Sequence, residues 1–104
     1  MKINLHQPFR DIYGKELKEK ENGNPQMIDE TICSILFSGS FIRPSNNPDD
    51  DARQKLEAFN LCMKISGAKG EVELTSEECV MVKRAASQLN PGGYGQVYYI
   101  VEGK

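Results

Sequence analysis

Apolar residues recur along this chain with two periods. Near the start, Ile3 and Leu5 alternate with polar neighbours, the pattern of a short strand. Phe9 to Leu17 carries apolar residues on both sides of Gly14, which predicts a β-hairpin or a strand with a tight turn. The charged run from Lys18 ends in Asn22-Gly23-Asn24-Pro25 and reads as a solvated loop. From Met27 to Phe37 the period changes to that of a helix, with Ile28, Ile32, Ile35 and Leu36 on one face. Asp29 and Glu30 suit its positive N-terminal end, and Gly39 stops it.

A longer helix is predicted from Asp49 or Asp50 to Ser66, ended by Gly67. Ala52, Leu56, Phe59 and Met63, spaced +4, +3, +4, define its expected core stripe, and Leu61, Cys62 and Ile65 widen it. Arg53, Gln54, Lys55, Glu57, Asn60 and Lys64 cover the other side. The alternation in Glu71-Val72-Glu73-Leu74 predicts an extended connector able to pair with the N-terminal strand. Thr75 and Glu78 have the spacing of a capping box and open a helix from Ser76 to Leu89, with Cys79, Val82, Ala86 and Leu89 on one face. Asn90-Pro91 predicts the cap of a last helix in which Tyr94, Val97, Tyr98 and Val101 share a face. Tyr98 to Val101 also fits a strand.

These elements describe a single α+β domain over residues 1–104. It has about four helices and a short N-terminal β-hairpin or strand: residues 1–26 form the β element and loop, and 27–104 the helical part. A chain of 104 residues supports one core without staples. The N-terminus has no apolar leader, and no stretch approaches the ~18 apolar residues of a membrane span, so a cytoplasmic location without membrane contact is expected. The net charge of −2 and pI near 5.4 count against a nucleic-acid partner. The odd set of Cys33, Cys62 and Cys79 has no CxxC spacing and reads as reduced thiols inside apolar helix patterns.

Candidate chemistry changes this picture little. Helix, loop and helix around Gly70 have an EF-hand outline, but Ile65, Gly67 and Lys69 then occupy the ligand positions, and none offers a side-chain oxygen. Asp49, Asp50 and Asp51 have no accompanying ligands and suit a solvated helix start. Gly92-Gly93-Tyr94-Gly95-Gln96-Val97 looks like a kinase glycine loop, but the six residues after Tyr98 leave no room for the remaining kinase elements. Nine residues, Gly67 to Thr75, separate the central helices, too many for a helix-turn-helix. His6 has no Ser, Cys or acid in a recognisable relay motif. No catalytic residue, no metal ligand and no cofactor is therefore assigned.

Val72-Glu73-Leu74-Thr75-Ser76-Glu77, Tyr94-Gly95-Gln96-Val97-Tyr98 and Phe9-Arg10-Asp11 with Gly14-Lys15 together resemble a group of small phage and prophage proteins. That group has a "VELT-x-E" turn and a C-terminal "GQV" helix. The resemblance spans most of the chain and implies a small phage protein with no catalytic residue. The expected function is a non-enzymatic protein–protein interaction module, in virion assembly or in modulating a host protein. The alternative is a small nucleic-acid-binding regulator, which requires Arg53, Lys64, Lys83 and Arg84 to form one basic face. A small enzyme comes third and requires a cleft with converging polar groups. Phe41 and Ile42, between Gly39 and Pro44, and Tyr99 and Ile100, on the far side of the last helix, are hard to place in one core. They are the candidate surface for a protein partner or for self-association.

Overall fold

The computed structural model describes residues 2–19, 23–68 and 70–103. Two three-residue strands, β1 (Lys2–Asn4) and β2 (Glu71–Glu73), pair antiparallel with Ile3 opposite Val72. The alternation puts Ile3, Leu5, Val72 and Leu74 inside, so the N-terminal strand and one from the middle of the chain close the same core. Four helices complete a small α+β architecture: α1 (Ile28–Ser38), α2 (Pro48–Ala68), α3 (Ser76–Ala86) and α4 (Pro91–Glu102). Helix α1 packs on α2 and α3, and α3 packs on α4.

Between β1 and α1 the chain forms a meander held by isolated antiparallel bridges, Pro8 to Met27, Arg10 to Glu16 and Lys18 to Pro25. Gly14 makes its turn at φ 82°, where a side chain is strained. The Asp11 carboxylate holds that turn by accepting from the backbone N–H groups of Tyr13 and Lys15, at 2.9 and 3.0 Å. The meander is clasped to α4 by Gln96, whose amide accepts from the Arg10 N–H at 2.8 Å and donates to the Arg10 carbonyl at 2.9 Å. One side-chain amide thus satisfies a strand edge as a neighbouring strand would.

Helix α1 begins at Met27 with no side-chain cap. Its first free donors go instead to the preceding chain: Ile28 donates to the Gln7 carbonyl at 2.8 Å and Asp29 to that of Leu5 at 2.9 Å. Gly39 ends it in the left-handed conformation, φ 72°. The chain then turns back, with Ile42 donating to the Gly39 carbonyl at 3.0 Å.

Helix α2 is longer than expected at both ends. Asn47 accepts from the N–H of Asp49 at 3.0 Å, so the helix starts at Pro48, where the missing proline donor costs nothing. It runs through Gly67, whose neighbourhood is open, to Ala68. Asp51 does not stand free in solvent but accepts from the backbone and hydroxyl of Ser45, at 3.0 and 2.8 Å. Helix α3 ends at Ala86 rather than Leu89. Its chain tightens there into three-residue bonds, Gln88 to the Ala85 carbonyl and Leu89 to that of Ala86. The last segment is helix and not strand, capped by the Asn90 side-chain Oδ1, which accepts from the Gly93 N–H at 2.8 Å.

The capping box is formed. Thr75 Oγ1 accepts from the Glu78 N–H at 3.1 Å, and Glu78 Oε1 accepts from the Thr75 N–H at 2.8 Å. The same Glu78 oxygen takes a 2.8 Å bond from Lys64 Nζ, so one carboxylate joins the start of α3 to α2. Thr75→Ala should destabilise the domain by about 1 kcal/mol without changing the fold, read as a midpoint shift in denaturant melts. Burial raises the Glu78 pKa, but the Lys64 ammonium and the Thr75 N–H outweigh it and hold the group below its ordinary 4.5. A depressed carboxyl stabilises fully above its unfolded value and loses that contribution as pH falls through the folded one. Between neutral pH and pH ~3, Glu78→Gln should therefore lose less thermal stability than the unmodified protein. Parallel slopes would remove Glu78 from the acid response.

Candidate interaction surface

Helix α2 carries two apolar stripes. Ala58, Leu61, Cys62 and Ile65 are buried at 4% exposure or less, whereas Leu56, Phe59 and Met63 are 60%, 46% and 47% exposed. The expected core stripe of Ala52, Leu56, Phe59 and Met63 is thus the outer face. Successive helix positions rotate by about 100°, so the two stripes lie on nearly opposite sides of one cylinder. A two-layer domain of this size buries only one of them. The stripe around Ala58 is the one that packs against α1 and β2.

The outer stripe continues onto α1. Phe37, 69% exposed, lies with its ring centre 6.3 Å from that of Phe59. This pair divides two hollows. One, of about 420 Å³, is lined by Leu36, Gly39, Ile42, Pro44, Asp51 and Lys55 beside the two rings. The other, of about 720 Å³, is lined by His6, Asp29, Glu30, Cys33, Cys62 and Met63 together with Phe37.

The second hollow brings a histidine, a carboxylate and a thiol together. His6 Nδ1 lies 2.9 Å from Asp29 Oδ2, a partnership 23 positions apart in sequence that no local motif announces. Cys33 lines the same hollow, but its Sγ donates to the Cys62 carbonyl at 3.6 Å. Burial, then the neighbouring Cys62 thiol, push the Cys33 pKa up to about 12. An activated nucleophile needs the opposite shift. Burial raises the Cys79 thiol as well. Among the described residues no group of three or more His, Cys, Asp or Glu side chains has the placement to hold a metal ion.

The four expected partner residues do not form one patch. Phe41 is 6% exposed and belongs to the core, with the Arg84 guanidinium 5.4 Å above its ring. Its assignment to the surface is corrected: the turn that follows Gly39 directs it inward. Ile42 and Ile100 are partly buried against the core. Ile42 opens on the 420 Å³ hollow, whereas Tyr99 stands 54% exposed in a ladder of Tyr94, Tyr98 and Tyr99 along α4. The residues missed at the surface are Phe37, Leu56, Phe59 and Met63. The available signal was the presence of two complete stripes on α2.

The basic face that the nucleic-acid alternative requires is broken up by pairing. Arg53 lies 3.3 Å from Asp50 and 3.7 Å from Glu57, Lys64 bonds Glu78, and Lys83 Nζ bonds Glu102 at 2.7 Å. Arg84 donates to the Gln54 amide at 3.0 Å. The Glu102 carboxylate raises the Lys83 pKa. No protein-family model, curated protein or solved structure matches the chain. Among the described residues no helix is long and apolar enough to cross a membrane.

The two stripes differ in what truncation costs. Leu61→Ala should destabilise by about 3 kcal/mol through lost burial and a cavity, and Leu56→Ala by less than about 1 kcal/mol. Urea unfolding of the two variants reads the difference, and equal losses would show that the outer stripe is packed in solution.

Proposed function

We propose that this chain is a non-enzymatic protein–protein interaction module that receives its partner on the outer face of α1 and α2. The observation that carries this reading is the exposed row Leu56, Phe59 and Met63, joined by Phe37 across the helix pair. Single exposed apolar side chains are ordinary, but a continuous aromatic-rich group flanked by hollows is the usual mark of an interface. The paired state of Arg53, Lys64 and Lys83 favours a protein partner over nucleic acid, because phosphate contacts require cations released from local carboxylates. The raised Cys33 thiol is the reverse of what a catalytic nucleophile needs and favours binding over catalysis in the hollow.

A phage or prophage setting, in virion assembly or host-protein modulation, is the part of the proposal that rests on the sequence likeness alone. A cytoplasmic setting belongs to it too, and three free thiols with no disulfide suit a reducing compartment.

Phe59→Glu and Met63→Glu test the reading, with Tyr99→Glu as a variant outside the face. All three should keep their circular dichroism. The first two should lose an oligomer seen by sedimentation, or a partner first identified by pull-down and then reconstituted from pure components, by at least tenfold in affinity, about 1.4 kcal/mol. Unchanged association in both α2 variants, with loss in Tyr99→Glu, would move the interface to the α4 ladder.

A further inference from the structure

We propose that Cys33 and Cys62 form an oxidisable dithiol, which closes into a disulfide between α1 and α2 when a low-molecular-weight disulfide reaches Cys33. The two residues face each other across the helix contact. Cys33 Sγ donates to the Cys62 carbonyl at 3.6 Å, and Cys62 Sγ donates to the Cys33 carbonyl at 3.4 Å. Each thiol thus bonds the backbone of the other's residue. A thiol is a weak donor, so these contacts hold the sulfurs together while costing little to surrender.

Their exposures differ in a way that orders the chemistry. Cys33 is partly buried and opens on the hollow of about 720 Å³, while Cys62 is 4% exposed. A small disulfide reaches Cys33 first. The Cys33 thiolate attacks one of its sulfurs, the S–S bond of the small molecule breaks, and one thiol leaves. Cys62 then gives its proton to solvent and attacks Cys33 Sγ, expelling the second thiol. The two protein thiols lose two electrons and two protons; the small disulfide gains both and becomes two thiols. Cys79, in α3, takes no part in these contacts.

The environment sets the pace. Burial and the Cys62 thiol disfavour the Cys33 thiolate, and Asp29 and Glu30 add to this. Closure is therefore slow at neutral pH and accelerates about tenfold per pH unit above it. The pair is suited to a persistent latch and not to a rapid sensor. It closes a loop whose two cysteines are 29 positions apart. Closing a loop of that length should raise Tm by roughly 15 °C.

The test is incubation of the reduced protein with oxidised glutathione at pH 7 and pH 9, followed by intact mass and peptide mapping. The expected product has lost two hydrogens, carries a Cys33–Cys62 bond, forms faster at pH 9 and melts higher. Cys79→Ser should give the same bond, and Cys33→Ser and Cys62→Ser should not. A glutathione adduct that persists on Cys33, an intermolecular bond or a bond to Cys79 would overturn the proposal. Should the Cys33 and Cys62 variants unfold, the map of the Cys79→Ser protein decides alone.

Discussion

The contact between α1 and α2 is the one on which the remaining structure depends. Ile28, Ile32 and Leu36 from α1 and Ala58, Leu61, Cys62 and Ile65 from α2 are all nearly inaccessible to water. Burying a side chain of this size stabilises by about 1.5–3 kcal/mol, so these residues outweigh any single cap or ion pair in the domain. Their position also decides the fate of the chain ends. With α1 docked, its uncapped first turn lies where the Leu5 and Gln7 carbonyls accept from it, and β1 is carried to the edge of β2. The N-terminal segment is thus ordered by helix donors that local sequence left unsatisfied.

Much of this was legible in the chain. Element type follows from period, and the strands at Ile3 and Val72, the four helices and the Thr75–Glu78 box all follow from short-range pattern or capping chemistry. What was not legible depends on distant partners. The choice between the two stripes of α2 is made by its fit against α1 and β2 and not by α2 itself. The burial of Phe41 depends on a turn after Gly39 and on Arg84, 43 positions further along the chain. The Gln96 clasp bridges 86 positions. Neither the hydropathy of these residues nor their spacing encodes those encounters.

The same limit explains the candidate site. Phe37 ends a helix whose buried face is complete without it, and Leu56, Phe59 and Met63 repeat at a spacing that serves a core equally well. Spacing of +4, +3, +4 is also the seam of a two-helix contact. A stripe of that kind on the outer side of α2 has the form of a surface that meets another helix. Its length along the axis, from Ala52 to Met63, is about 16 Å, which is three helical turns.

The charges around the stripe limit how a partner is chosen. Asp50, Arg53 and Glu57 neutralise one another on α2, and Lys64 is held by Glu78. Such local pairs leave little field to steer a partner from a distance, and the net charge of the chain is only −2. On the proposed reading, encounter at this face would proceed near the unsteered rate for proteins, about 10⁵–10⁶ M⁻¹s⁻¹. Discrimination falls to shape: the tilt of Phe37 against Phe59, at 46° between ring planes, leaves a ridge with a hollow on each side. The proposed partner would present a groove to that ridge. Differences in its affinity then reside in how slowly it leaves, because packing against Phe37 and Phe59 is lost only on dissociation.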